Sequence, residues 1–128
     1  MSSLLDLLST CPQNPTIGDN LVRAYSKINS SKYSKIICSI SGGADSDVML
    51  DICHKCDYDH KIDYVWYDTG LEYQATKEHL RYLESRYGIS IKRFKAIKPI
   101  PISCKTYGLP FLSKRVSEYM HRLQLHNF

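Results

Sequence analysis

The residues most able to do chemistry are Ser41-Gly42-Gly43-Ala44-Asp45-Ser46, directly after the apolar run Ile36-Ile37-Cys38-Ser39-Ile40 and before a helix-patterned segment. A strand thus delivers a tight glycine turn that opens onto a helix N-terminus. Two adjacent glycines let the backbone approach a bulky anion without Cβ interference. The N–H groups of the helix's first turn then point at that anion, with the positive end of the helix dipole behind them. Ser41 and Ser46 add hydroxyl donors, and the candidate phosphate contacts are Ser39, Ser41, Gly42, Gly43, Asp45 and Ser46. Asp45 adds a carboxylate to the first turn of that helix. The same first-turn carboxylate also suits the helix dipole. This is chemistry for cradling a pyrophosphate.

No Gly-Lys-Ser/Thr follows the glycines, so the turn is not a Walker loop. Adjacent glycines also differ from the G-x-G-x-x-G dinucleotide fingerprint. A second polar cluster, Asp68-Thr69-Gly70, closes the β-rich run Asp63-Tyr64-Val65-Trp66-Tyr67-Asp68. Ligands of open α/β sheets bind beyond the carboxyl ends of the strands, which places both clusters on one rim. Asp, Thr and Gly also favour a plain strand-end turn. Lys114 and Arg115 stand at the start of a third segment's helix. Cations there oppose the dipole, and a shared anion would resolve the conflict; a solvent-facing basic turn is the alternative.

The elements that must position these residues are legible in the hydrophobic spacing. Ile17, Leu21, Val22, Tyr25 and Ile28 form a helical stripe over residues 17–28. After the strand at 36–40, a helix from Asp45 carries Val48, Met49, Ile52, Cys53 and Cys56 towards the sheet. Asp47 and Asp51 are read as solvent-facing on that helix. A further helix runs from Gln74 to Tyr87, with Leu80, Leu83 and Tyr87 inward and Gly88 as its left-handed stop. Ile89, Ile91 and Phe94 mark a third strand. Pro99, Pro101 and Pro110 are expected to break regular structure, and Ser113 to cap a last helix with Val116, Tyr119, Met120 and Leu123. Strands alternating with helices give an α/β domain: an open parallel sheet flanked by helices, Rossmann-like, with an N-terminal helix. One domain spans 1–128, with a helical segment at 1–34, a nucleotide-binding core at 35–98 and a basic segment at 99–128.

Taken together, Ser-Gly-Gly-Ala-Asp-Ser resembles the PP-loop of the adenine-nucleotide α-hydrolase-like superfamily. Asp68-Thr69-Gly70, followed by Leu71-Glu72-Tyr73-Gln74-Ala75-Thr76, resembles the second strand end of phosphoadenosine-phosphosulfate (PAPS) reductase relatives. Tyr107-Gly108-Leu109-Pro110-Phe111-Leu112-Ser113-Lys114-Arg115 is similar to their Gly-x-Pro-x-x-Ser-Lys stretch. The resemblance covers roughly residues 36–124. It implies ATP or a PAPS-type adenine nucleotide as ligand, chemistry at the α-phosphate or sulfate group, Mg²⁺ at Asp45, and catalytic roles for Asp45 and Lys114. It also implies nucleotide contacts from Asp68, Thr69, Gly70, Lys114 and Arg115. The late Glu-Cys-Gly-Leu-His segment of the sulfonucleotide reductases is absent, and Cys104 precedes Lys114, so a truncated or domain-only version is expected.

Composition bounds the rest. The 128 residues fit one globular domain with ordinary apolar and charged fractions. Neither a membrane span nor a convincing signal peptide is legible, and cytoplasmic residence is the simplest expectation. The five cysteines lack a disulfide framework, and Cys53-x-x-Cys56 reads as a pair of small core hydrophobes. His54, His60, His79, His121 and His126 read as surface residues. Residues 1–88 hold 9 Lys/Arg against 12 Asp/Glu, whereas residues 89–128 hold 8 against Glu118 alone. That basic tail suits a polyphosphate, nucleic acid or an acidic protein surface. Three functions remain open: a PAPS-reductase-like nucleotide domain, an ATP-pyrophosphatase that adenylates a nucleic acid or other acceptor, and a non-catalytic nucleotide-binding module. Exposed sheet edges also suggest a homo-oligomer.

Overall fold

Three short β-rich runs separated by amphipathic segments can bury their apolar sides only by stacking helices on a sheet, and the chain does so. The computed structural model describes residues 4–9, 14–109 and 114–126. In chain order the elements are α1 (Leu4–Ser9), α2 (Pro15–Ile28), β1 (Ile36–Ser39), α3 (Ala44–Cys56), β2 (Ile62–Asp68), α4 (Gln74–Tyr87), β3 (Ile91–Lys95), α5 (Ile100–Tyr107) and α6 (Lys114–Leu125). The sheet is parallel throughout, in the order β1-β2-β3. Among the described residues no helix is long and apolar enough to cross a membrane.

Side-chain alternation divides the sheet into two unlike faces. Cys38, Ile40, Ile62, Tyr64, Trp66 and Ile91 point one way and form the core with Leu21 and Ile28 of α2, Leu50 and Cys56 of α3, and Leu80 and Leu83 of α4. Both crossovers step in the same direction along the sheet. Right-handed connections therefore lay α3 and α4 on the same side. The other face carries Ile37, Asp63, Val65, Tyr67, Lys92 and Phe94. Ile37 is 67% exposed there, and Tyr67 stacks on Phe94 at 5.8 Å. Asp63 is held between Lys35 and Lys92, each at 3.3 Å.

This one-sided packing corrects the expected inward stripe of α3. Leu50 and Cys56 are fully buried and Cys53 packs against them, whereas Val48 is 60% exposed and Met49 is exposed as well. Their side of the helix has no second layer to face. The proline-rich connection is also more regular than expected, because it contains α5. Pro101 lies in that helix's first turn, where a missing N–H costs nothing, and Pro99 is its N-cap. Pro110 and Ser113 lie outside the described residues. α4 follows the expected spacing, and Gly88 ends it in the left-handed conformation at φ 63°.

Candidate nucleotide-binding rim

β1 ends at Ser39, and the Ile40 amide still bonds the Val65 carbonyl at 2.8 Å, so the chain leaves the sheet at a defined height beside β2. The turn that follows is stapled by its own serines. The Ser46 hydroxyl donates to the Gly43 carbonyl at 2.9 Å and accepts the Ser41 amide at 3.3 Å. The Ser41 hydroxyl oxygen accepts the Gly43 amide at 3.3 Å. Ser46 is buried, so its proton is committed to the loop, while exposed Ser41 keeps a hydroxyl proton for an outside acceptor. Gly42 adopts φ +86°, a conformation that L side chains rarely take.

Gly43 is the extended N-cap of α3, and no side chain caps this helix end. The first-turn amides of Ala44, Asp45 and Ser46 lack intrahelical acceptors by the geometry of any α-helix. They face the strand-end rim with the positive end of the dipole behind them. Asp45 is exposed, and its carboxylate has no protein partner among the described residues. A free carboxylate beside an uncapped helix end fits a hydrated hard cation that accompanies an anion.

The second cluster forms the adjoining part of the rim, because Asp68 ends β2 next to β1. Asp68 Oδ1 accepts the Gly70 amide at 2.8 Å, closing an Asx-type turn. Thr69 donates its hydroxyl to Glu72 at 2.9 Å, and its carbonyl accepts the Ile100 amide at 2.8 Å. Gly70 has φ +90°, and a Cβ there would lie 2.9 Å from Pro99 Cβ. This turn thus anchors the start of α5. Strand register also sets Lys95 beside Asp68, a cation at the rim that charge counting alone did not single out.

α4 joins the two clusters. A Cβ on Gly42 would come within 2.8 Å of the Thr76 methyl carbon, so the loop passes directly against this helix. One turn on, His79 Nε2 lies 2.6 Å from Asp47 Oδ2. Asp47 and His79 are therefore not the solvent-facing residues expected from spacing. Nor is Asp51, which accepts from Lys55 at 2.8 Å and from the Tyr87 hydroxyl at 2.9 Å. Thirty-two positions separate Asp47 from His79, and no local pattern could have paired them. His54 is half-buried and packs edge-on against Tyr87.

Lys114 and Arg115 stand apart from this construction. The Lys114 side chain is 92% exposed and pairs with Glu118 of its own helix at 3.9 Å. Arg115 bonds and stacks on Tyr119, also within α6. Among the described residues neither makes a polar contact with the loop or with Asp68-Thr69-Gly70. Ser39 is exposed and lies on the sheet face opposite the core, paired with buried Val65.

At the opposite, amino-terminal end of the strands a hollow of about 200 Å³ is lined by His54, Asp57, His60 and Asp63 among others. Asp57 is already committed there, accepting the Lys61 and Ile62 amides at 2.9 and 3.0 Å. Among the described residues no group of three or more His, Cys, Asp or Glu side chains is placed to hold a metal ion. Cys53 and Cys56 line the core as expected. Burial pushes the Cys56 thiol up.

A family model described as phosphoadenosine phosphosulfate reductase domain matches residues 35–121, from β1 into α6. An uncharacterized protein of Methanocaldococcus jannaschii is 34% identical over 101 residues, which is 76% of this chain and 21% of that protein. The chain thus spans about a fifth of that relative's length. No solved structure matches the chain.

Proposed function

The chain belongs to the phosphoadenosine phosphosulfate reductase domain family, and we propose that its strand-end rim binds ATP or a PAPS-type sulfonucleotide by its phosphates. The observation that carries this reading is the uncapped N-terminus of α3 behind a left-handed Gly42 and an extended Gly43. Backbone amides of 44–46 and the Ser41 hydroxyl would hold phosphate oxygens. Asp68-Thr69-Gly70 would form the neighbouring wall, and Lys95 would add positive charge. Asp45 would hold Mg²⁺, which supplies electrostatic stabilisation of charge developing on a phosphate under attack. Chemistry at the α-phosphate or the sulfate group is the reaction class that this family resemblance supports.

Titration calorimetry with ATP and with the sulfonucleotide, each with Mg²⁺, tests the reading. Saturable binding should raise the thermal midpoint, because a ligand of the native state stabilises it. Gly43→Val should abolish binding and keep the fold, since a Cβ at Gly43 meets only Ser41 Oγ at 3.5 Å. Absence of binding by both nucleotides, or equal affinity in the variant, would overturn the assignment. Release of pyrophosphate from ATP, or of the sulfur group from the sulfonucleotide, separates turnover from binding alone.

A second reading takes nucleic acid as the acceptor of an adenylyl group. It is favoured by the exposed cations Lys95, Lys98 and Lys105 along the β3–α5 segment. Lys92 and Arg93 count less towards it, being paired with Asp63 and Glu84. Binding of single-stranded RNA that weakens steeply with salt would support it; salt-independent or absent binding would remove it.

A further inference from the structure

We infer that Asp47 and His79 are positioning residues that hold the glycine turn at the spacing a nucleotide phosphate requires. The inference rests on the phosphate-binding reading of the rim. α4 grips the glycine turn at one point and the first turn of α3 at another, both from one of its own faces, since residues three apart are helical neighbours. Thr76 sets its methyl against Gly42, and His79 bonds Asp47 at 2.6 Å. Asp47 in turn donates its amide to the Gly43 carbonyl at 3.1 Å. The tie therefore runs from α4 through Asp47 into the residue that caps α3.

α4 begins a few residues after Asp68-Thr69-Gly70, so the same bond fixes one half of the rim against the other. The carboxylate can only accept, so His79 Nε2 carries the shared hydrogen. Asp47 Oδ1 is buried without any hydrogen-bond partner among the described residues, which leaves His79 as the carboxylate's only side-chain partner. Without His79 this carboxylate would have no counterpart close to the place where phosphate must sit. Its bond to His79 thus also restrains a negative group beside an anion site.

The test measures ATP and adenosine affinity together with amide hydrogen exchange at residues 41–47. His79→Ala and Asp47→Ala should each weaken ATP binding roughly tenfold, the scale of one charge-assisted hydrogen bond. Adenosine, which lacks phosphates, should change less than about twofold. The double variant should lose no more than either single one, because both remove the same bond. Asp47→Asn and His79→Gln keep an acceptor and a donor at the two positions and should restore affinity. Exchange at Ser41, Gly43 and Asp47, whose amides are hydrogen-bonded within the turn, should quicken in the alanine variants and not in the conservative ones.

Unchanged ATP affinity in the alanine variants would overturn the inference. So would equal losses for ATP and adenosine, or no rescue by Asn and Gln. If the wild-type chain binds no nucleotide, the proposed function falls by itself and the exchange measurement still decides the positioning. Faster exchange confined to the alanine variants would uphold the tie, and unchanged exchange would remove it.

Discussion

Gly42 and Thr76 touch across the gap between two crossovers: at φ +86°, a Cβ on Gly42 would lie 2.8 Å from the Thr76 methyl carbon. Backbone conformation and close packing therefore both require glycine here. Gly42→Ala should cost about 1–3 kcal/mol, the scale of a residue forced into a sparsely populated conformation. Thr76→Ala should recover only the steric part of that loss. Urea denaturation of the single and double variants measures both quantities.

Gly43 contrasts with its neighbour. Its φ of −91° and ψ of 167° suit any residue. Gly43→Ala should cost less than about 1 kcal/mol, the difference between glycine and alanine at an N-cap. Nucleotide binding should nonetheless fall, because the added methyl stands where phosphate oxygens must approach. A variant with unchanged thermal midpoint and unchanged affinity would show that the anion does not sit there.

At the second cluster, Gly70→Ala should be worse for the fold than Asp68→Ala. Gly70 has φ +90° and almost no room before Pro99, so substitution must shift the start of α5 and its bond to Thr69. Asp68→Ala removes one exposed hydrogen bond, worth about 0.5–1.5 kcal/mol. Faster amide exchange at Ile100 in Gly70→Ala alone would confirm the ranking.

Acid should destabilise the chain through two half-buried carboxylates. Arg93 foremost, with the Ile91 amide, holds the Glu84 carboxyl below the usual range. Burial alone would raise Asp51, yet hydrogen bonds from Lys55 and Tyr87 outweigh it and hold this carboxyl low as well. Both groups have folded values beneath their unfolded ones. Their stabilisation is present above the ordinary carboxylate range and is lost as pH falls through the depressed folded values. The urea midpoint should therefore drop below about pH 4, and Glu84→Gln should flatten that drop.

Thiol labelling should separate core from surface. Cys38 is 4% exposed, and its bond with Cys53 together with burial pushes the thiol far up. Fully buried Cys56 is raised by burial. Half-buried Cys104 on α5 should react with iodoacetamide in the native chain before either of them. Equal labelling of Cys38 and Cys104 would contradict the burial of Cys38 beneath the helices.

The glycine turn, the strand-end Asp68-Thr69-Gly70, the stop at Gly88 and the stripe of α4 were legible because each depends on residues close in sequence. Turn chemistry and 3.6-residue spacing are local properties. The alternation of elements likewise sufficed for a parallel α/β sheet. The inward side of α3 was not legible, since Val48 and Met49 have helical spacing as good as that of Leu50 and Cys53.

The sequence by itself determined that a glycine turn sits between a strand and a helix, with a second polar turn on the same rim. Only the tertiary structure decided what holds that turn. Strand order with right-handed crossovers laid both helices on one face and left Ile37, Tyr67 and Phe94 exposed on the other. Helix packing then brought Thr76 to Gly42 and His79 to Asp47, and strand register set Lys95 beside Asp68. These contacts join residues more than 25 positions apart. They depend on how crossovers stack, which no periodicity along the chain encodes.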